Sequence, residues 1–325
     1  MLKYILRRLI LAIPVLLGVS IFSFMIISLA PGDFLDSYRM NPAVNPEQVK
    51  NLERKFGLDK SPVVQYLLWL KNILQGEWGD SFTYQVPVWD LIWRRAGATL
   101  LLSITTFIFT WGIGIPLGIY AALHQYSIGD QIIGVIGFIG LSIPNFFFAL
   151  LFLYFAAKTG GKIFPVGGYI SLDYDTFPAW KKFLDHVWHV LGPMITLGTS
   201  GLAGTMRVMR GQLLDELKQD YVEFARAKGM PEKVVIYKHA LRNAINPIVT
   251  SLGFAISGLL GGAVLTENVF GWPGMGQLII EALMQQDMFV IMADIMLASV
   301  LLVIGNLIAD ILLAAVDPRV RLRLG

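Results

Sequence analysis

Hydrophobic residues in this chain cluster into six long stretches that contain almost no charge. The stretches are residues 9–30, 98–123, 132–157, 187–206, 244–266 and 289–309. His189 and Asp294 are their only acidic, basic or imidazole side chains. A helix of roughly 20 apolar residues crosses a hydrocarbon core about 30 Å thick. The pattern therefore predicts an all-α polytopic membrane protein with six transmembrane helices.

The first stretch has the layout of a secretory signal peptide, with basic residues before it and small residues at its end. Lys3, Arg7 and Arg8 precede it, and it closes on Ala30. Its length of 22 residues nevertheless exceeds the 7–15 residues of a signal-peptide hydrophobic region. Cleavage after Ala30 would also leave Pro31 as the first residue of the product, which is unfavourable for cleavage. We therefore expect an uncleaved anchor.

Lysine and arginine are distributed unevenly among the connecting segments. With the N-terminus in the cytosol, the cytosolic segments hold fourteen of these residues. The opposite side holds four once segment 31–97 is set aside, because the positive-inside rule loses force in long loops. Arg94 and Arg95, close to the second stretch, favour the reverse orientation. The balance predicts that both termini lie in the cytosol (N-in, C-in).

The hydrophilic segment 31–97 balances eight acidic with eight basic residues and contains several aromatic side chains. We expect it to form a small extracytoplasmic domain. This divides the chain into the N-terminus with the first helix (1–30), the extracytoplasmic loop domain (31–97) and the remaining transmembrane domain (98–325).

The second hydrophilic segment, 207–243, lies between the fourth and fifth stretches and should project into the cytosol as a helical hairpin. Its first helix is predicted over 207–228, and the hairpin turns at Gly229. Pro231 suits the first position of the next helix, where its missing N–H is harmless. Val234, Tyr237 and Leu241 recur at helical spacing on one face of that helix.

Composition excludes a soluble protein. Hydrophobic residues make up 55% of the chain, charged residues 15%, and the mean hydropathy is +0.61. In soluble domains roughly 45–50% of the residues are apolar and about 25% are charged. The chain has no cysteine, which excludes disulfides and thiolate metal sites, and its net charge of +3 is too small to indicate nucleic-acid binding.

Nucleotide-binding and hydrolytic motifs do not occur in the sequence. Lys162 follows Gly160 and Gly161, but Ile163 occupies the hydroxyl position of a phosphate-binding loop. Neither G-x-S-x-G nor H-E-x-x-H is present. We therefore expect a subunit that is not an enzyme, binds no cofactor itself and leaves any nucleotide to another subunit.

Two groups of polar residues invite a functional interpretation. His186 and His189 lie three residues apart beside Asp185 and could share a helix face as metal ligands. Interfacial histidines without a metal are commoner, and we predict no metal site.

Three further polar residues lie in the sixth stretch or directly after it, Asp294, Asn306 and Asp310, and we expect them to line the transport path or to stabilise the helices. A carboxylate at mid-bilayer costs about 2.5–3.5 kcal/mol. Asp294 lies five residues into the stretch and can reach the outer surface. Asp310, four residues after Asn306, is expected to pair with an arginine of the inner segment.

One motif in the inner segment resembles a known family. The run E-F-A-R-A-K-G at 223–229 resembles the E-A-A-x-x-x-G signature of the permease subunits of bacterial ATP-binding-cassette importers. The run H-A-L-R-N-A at 239–244 with Pro247 resembles the oligopeptide, dipeptide and nickel branch. Further matches follow in order, at 7–19, 31–33, 56–59, 261–276 and 317–319. The outer segment is similar to that of the first (B-type) of the two permeases.

The resemblance implies that the loop 207–243 holds the coupling helix, which docks on the ATPase subunit. By this resemblance the ATPase contacts fall on Glu223, Phe224, Ala225, Ala227, Lys228, Gly229 and Pro231. It implies as partners a second related permease, two ATPase subunits that bind ATP and Mg²⁺, and an extracytoplasmic substrate-binding protein. The location would be the bacterial inner membrane.

The function implied is that of a permease subunit that forms the translocation path for peptides together with a second permease. Two alternatives remain open. The same importer class also carries oligosaccharides or nickel complexes. More distantly, the chain could be a secondary transporter or a channel, although such proteins usually show paired broken helices or intramembrane charges in corresponding halves.

Overall fold

The computed structural model describes residues 2–32, 34–40, 45–261 and 264–316, and most of these are helical. Fifteen α-helices are numbered in chain order: α1 Leu2–Leu29, α2 Asp36–Arg39, α3 Pro46–Phe56, α4 Pro62–Leu74, α5 Val88–Leu123, α6 Ile128–Ser142, α7 Asn145–Lys158, α8 Ala179–Glu216, α9 Asp220–Ala227, α10 Glu232–Val234, α11 Leu241–Ala244, α12 Asn246–Gly261, α13 Val264–Phe270, α14 Met275–Met284 and α15 Met288–Val316. A π-helical turn at Val235–Ala240 joins α10 to α11.

Three helices of the described residues are long and apolar enough to cross a membrane. They are Leu6–Leu29, Val88–Leu123 and Met288–Ile311, which correspond to the first, second and sixth predicted stretches. The pair α6 and α7 forms a fourth candidate, bent by 101°.

The bend interrupts the span predicted over 132–157. Ile143 adopts an extended conformation with φ −91° and ψ 120° directly before Pro144. Proline disfavours the helical conformation of the residue before it, and this ends α6 at Ser142. The stretch is therefore two helices joined at a proline.

The fourth and fifth stretches fall on α8 and on α12 with α13. α8 is 38 residues long and continues on both sides of the predicted 187–206. α12 and α13 flank residues 262 and 263, which lie outside the described part of the chain, as does the predicted motif at 317–319. The count of six spanning helices stays a prediction.

The helices α5 and α8 pack closely through glycine. A Cβ on Gly118 would lie 2.6 Å from the Met206 carbonyl oxygen and 2.7 Å from the Met209 Cβ. A Cβ on Gly114 would lie 3.1 Å from the Leu202 carbonyl oxygen. Only small residues allow two helix backbones to approach so closely in lipid. Gly114 and Gly118 therefore allow α5 to lie directly against α8.

The segment after α1 forms a small helical unit on the end of α15. Its buried side chains, together with two methionines at the start of α15, are Phe34, Leu35, Val49, Trp69, Phe82, Met288 and Met292. α5 begins at Val88, inside the segment 31–97 that the sequence assigns to the outer domain.

Candidate functional site

The segment between α8 and α12 folds back on itself as a compact hairpin. α8 runs to Glu216, a turn follows, and α9 begins at Asp220. The prediction of one uninterrupted helix over 207–228 is therefore wrong. Asp220 and Glu223 occupy the first turn of α9, where acidic side chains favour a new helix N-terminus.

The hairpin turns at Gly229, as the sequence predicts. Gly229 has φ +74°, in the left-handed region that glycine adopts without strain. Its N–H donates to the Arg226 carbonyl at 2.9 Å, and the Met230 N–H donates to the Ala225 carbonyl at 3.4 Å. These two bonds form a Schellman motif, which satisfies the last carbonyls of α9.

An ion pair bridges the turn. The Arg226 guanidinium contacts Glu232 with Nη2 at 2.8 Å and Nε at 3.2 Å from its carboxylate oxygens. This contact raises the pKa of Arg226 and lowers the pKa of Glu232. The side chains are 41% and 56% exposed, so the pair adds little stability and mainly sets the shape of the turn.

One face of the hairpin is buried against the membrane helices. Its apolar contacts include Val222, Ala225, Val235, Ala240, Ala244, Met209, Leu213, Ala122 and Ile248. Apolar packing on both arms makes the hairpin a rigid extension of α8, rather than a free loop.

Two details of the second arm differ from the prediction. Pro231 precedes α10 as its N-cap residue instead of opening the helix. The predicted apolar face of Val234, Tyr237 and Leu241 is also wrong, because Tyr237 is 55% exposed and Val235 is fully buried. The π-helical turn shifts the spacing of inward side chains away from the α-helical period.

Six of the seven residues assigned to ATPase docking lie on the outer surface of the hairpin. They are Glu223, Phe224, Ala227, Lys228, Gly229 and Pro231, and we call them the hairpin tip. Ala225 is instead only 5% exposed and supports the tip from within.

The hairpin tip carries an exposed aromatic ring beside a cation. Phe224 is 62% exposed. Burial of this apolar ring against a partner protein would be favourable. The Lys228 ammonium lies 4.6 Å from the centre of that ring. Exposed aromatic rings such as that of Phe224 are enriched at surfaces that contact another protein.

Tyr221 ties the base of the hairpin together, a role that the sequence did not reveal. Its hydroxyl donates to the Glu216 carboxylate and accepts from the Asn243 amide at 3.0 Å. Burial and then Glu216 raise the pKa of Tyr221 to about 12. The network connects α8, α9 and α11.

The polar residues of α15 have different surroundings. Asp310 pairs with Arg8 of α1, with 2.6 Å between Oδ2 and Nη2, an arginine of the N-terminal segment where the sequence predicts one of the inner segment. Asn306 is half-buried on the same helix. Asp294 is half-buried too.

A second polar centre surrounds Glu267, which the motif at 261–276 contains without a stated role. The side chain is fully buried and accepts from the Thr99 hydroxyl at 2.8 Å and the Gly276 N–H at 2.7 Å. Thr99 in turn accepts from the Met275 N–H at 2.7 Å. Glu267 and Thr99 thus cap the N-terminus of α14. Trp272, also fully buried, donates to the Ala98 carbonyl at 2.9 Å.

The two histidines weighed as metal ligands have other hydrogen-bond partners. His186 Nε2 lies 2.9 Å from the Tyr174 hydroxyl, and His189 Nδ1 lies 2.8 Å from the Asp185 carbonyl oxygen. Among the residues that the structure describes, no three histidine or acidic side chains are grouped to hold a metal ion.

Comparison with known proteins identifies relatives along almost the whole chain. Residues 114–322 match the family described as binding-protein-dependent transport system inner membrane component. Residues 1–105 match the N-terminal family of such membrane components.

Individual relatives are permeases. The oligopeptide transport system permease protein AppB of Bacillus subtilis is 41% identical over 321 residues, which cover 98% of this chain and 99% of AppB. The dipeptide transport system permease protein DppB of Escherichia coli K12 is 34% identical over 336 residues, covering 99% of both chains. The di/tripeptide transport system permease protein DppB of Pseudomonas aeruginosa is 37% identical, again with 99% coverage of both chains.

Proposed function

The chain belongs to the family of binding-protein-dependent transport system inner membrane components, and from this we propose that it is a permease subunit of an ATP-driven peptide importer. It is a multi-pass protein of the bacterial inner membrane. Peptide is the proposed substrate because the relatives named above are oligopeptide and dipeptide permeases. The same relatives favour an importer subunit over a secondary transporter or channel.

The proposed complex contains a second permease, two ATPase subunits and an extracytoplasmic binding protein. The two permeases enclose the path, the binding protein delivers substrate near segment 31–97, and the ATPases bind ATP and Mg²⁺. This chain catalyses no reaction and binds no cofactor. In this assembly the proposed topology is six spans with both termini in the cytosol.

The hairpin tip is the proposed docking surface for an ATPase subunit, and its position on α8 supports this role most strongly. α8 is 38 residues long, or about 57 Å, and is continuous with the base of the hairpin. A displacement of the rigid hairpin is therefore transmitted to a helix that reaches across the membrane. ATP can drive this displacement only if the ATPase dimer binds one permease conformation better than the other.

A single cysteine in place of Lys218 tests the orientation. Lys218 is exposed in the turn between α8 and α9, and the parent chain has no cysteine. We expect an impermeant maleimide to label Lys218→Cys in inside-out vesicles and not in intact cells. Lys60→Cys, exposed in the outer segment, is the matched control and should label in intact cells. Labelling of Lys218→Cys from outside would reverse the topology.

Nucleotide hydrolysis by the isolated chain tests the division of labour. Because no phosphate-binding loop is present, the purified subunit should release no phosphate from ATP. Activity is expected only after the ATPase subunits are added. Hydrolysis that co-elutes with the subunit purified from cells lacking those ATPases would refute the assignment.

A further inference from the structure

A groove lies between α6 and α8, and none of the functions proposed above involves it. The two helices touch at Gly137, where a Cβ would lie 2.6 Å from the Met206 Cε. Beside this contact they border a cavity of about 560 Å³ that is open on one side. Its wall is apolar along Ile133, Gly134 and Phe138, and two arginines stand at one end.

The first arginine, Arg210, is held in a fixed position. Its Nε and Nη2 donate to the two carboxylate oxygens of Asp130 at 2.7 and 2.8 Å. Asp130 is 7% exposed and also accepts from the Tyr126 N–H at 2.9 Å. The carboxylate is thus fully engaged, and the Arg210 Nη1 group takes no part in these bonds.

The second arginine, Arg207, lies on the same face of α8, three residues earlier. Its guanidinium is 4.6 Å from the centre of the Phe138 ring, and its side chain is exposed. No carboxylate within the described part of the chain forms an ion pair with Arg207. Stacking on the ring leaves the planar N–H donors free for a bidentate acceptor.

We propose that this groove binds an anionic phospholipid, with its phosphodiester on Arg207 and Arg210 and an acyl chain along Ile133, Gly134 and Phe138. Two arginines and one aspartate leave one positive charge, which matches a single phosphodiester. Arginine forms paired hydrogen bonds with phosphate oxygens. Along α8 the lining changes from Arg210 and Arg207 to Met206 and Ala203, so it passes from charged to apolar toward the middle of the predicted span.

The position in the membrane agrees with this ligand. Arg207 directly follows the predicted span 187–206, and under the proposed orientation it lies at the cytosolic surface, where anionic lipids attract basic residues. α8 continues from Arg210 to Glu216 and the hairpin. A bound lipid would therefore restrict the motion of α8, the helix that carries the hairpin tip.

Lipid retention by the purified full-length chain tests the site. The chain is transferred to detergent with equal amounts of phosphatidylglycerol and phosphatidylethanolamine, and bound lipid is measured by native mass spectrometry. We expect the parent to retain more phosphatidylglycerol than phosphatidylethanolamine. In Arg207→Gln the ratio of the two bound lipids should fall about fivefold. Lys158→Gln is the control, because the Lys158 ammonium also lies over an aromatic ring, Tyr154 at 5.2 Å, but borders no part of this cavity. Its preference should not change.

Three results would overturn the proposal. An equal phosphatidylglycerol preference in Arg207→Gln and the parent would show that the arginine binds no lipid. Displacement of the lipid by glycerol phosphate at similar concentration would indicate a phosphate site without a chain groove. A disulfide or maleimide crosslink from Phe138→Cys to the second permease, with no lipid retained by the assembled importer, would show that the groove is a subunit interface.

Discussion

Replacing Gly229 with aspartate is expected to abolish most substrate uptake while the protein remains inserted in the membrane. A Cβ at Gly229 would meet no atom within 4 Å, so the chain itself has room for the side chain. The φ of +74° adds strain of roughly 1–2 kcal/mol, and aspartate is among the residues that tolerate it best. The main effect therefore falls on the ATPase surface that faces Gly229. We expect uptake and ATPase co-purification to fall at least about tenfold at matched membrane levels.

Gly57→Asp is the matched control for this substitution. Gly57 ends α3 with φ +69° and likewise has no atom within 4 Å of a Cβ. The hydrogen bonds match those at Gly229: the Gly57 N–H donates to the Arg54 carbonyl at 3.2 Å, and the Leu58 N–H donates to the Glu53 carbonyl at 2.9 Å. The two substitutions thus impose the same local strain on different sides of the membrane. Gly57→Asp should retain ATPase co-purification, and an equal loss of co-purification in both variants would show that backbone strain alone is responsible.

Glu223→Ala provides a graded comparison on the same surface. Glu223 is exposed and lies in the first turn of α9. Exposed charges contribute about 0–1 kcal/mol, so we expect a loss of uptake of no more than about fivefold. A larger loss than that of Gly229→Asp would move the centre of the docking surface from the turn to the start of α9.

Replacing Glu267 with alanine is expected to cause the largest loss of stability. The Thr99 hydroxyl and the Gly276 N–H would be left buried without their acceptor, at about 1–3 kcal/mol each. For a chain of this size, such a loss lowers the melting temperature by roughly 6 °C or more. Thermal denaturation of the detergent-solubilised protein, followed by size-exclusion chromatography, measures the change.

Two further variants separate the capping role of Glu267 from a general effect of removing a carboxylate. Glu267→Gln keeps an acceptor oxygen and should destabilise less than alanine does. Glu281→Ala removes a carboxylate from α14 itself, the helix that Glu267 caps; Glu281 is 36% exposed and accepts from Tyr84. It should be nearly neutral. Equal melting temperatures for Glu267→Ala and Glu281→Ala would contradict the cap.

The hydropathy pattern located helices well and their bends poorly. Charge-free stretches coincide with α1, α5 and α15, because a helix in lipid must be apolar over its whole length. The bend at Pro144 lies within such a stretch. Hydropathy does not indicate where the axis of an apolar helix changes direction. The residue pair Ile143-Pro144 was the available signal, since proline restricts the residue before it.

The candidate site shows the same division between local and distant causes. Gly229 could be predicted because a polar helix followed by glycine and a nearby proline demands a turn. The partner of Asp310 could not, since Arg8 is separated from it by almost the whole chain and only the packing of α1 on α15 brings them together. The π-helical turn at Val235–Ala240 also has no sequence pattern of its own, and it decides which side chains face inward.

Crosslinking from the hairpin tip tests whether this surface docks on an ATPase subunit. Lys228→Cys, carrying a photoactivatable maleimide, is assembled with the second permease and the ATPases in membranes, and Lys218→Cys at the base of the hairpin serves for comparison. We expect an adduct between position 228 and an ATPase subunit, with a yield that changes with ATP. Efficient labelling of position 228 without any ATPase adduct, in a complex that still imports peptide, would contradict it.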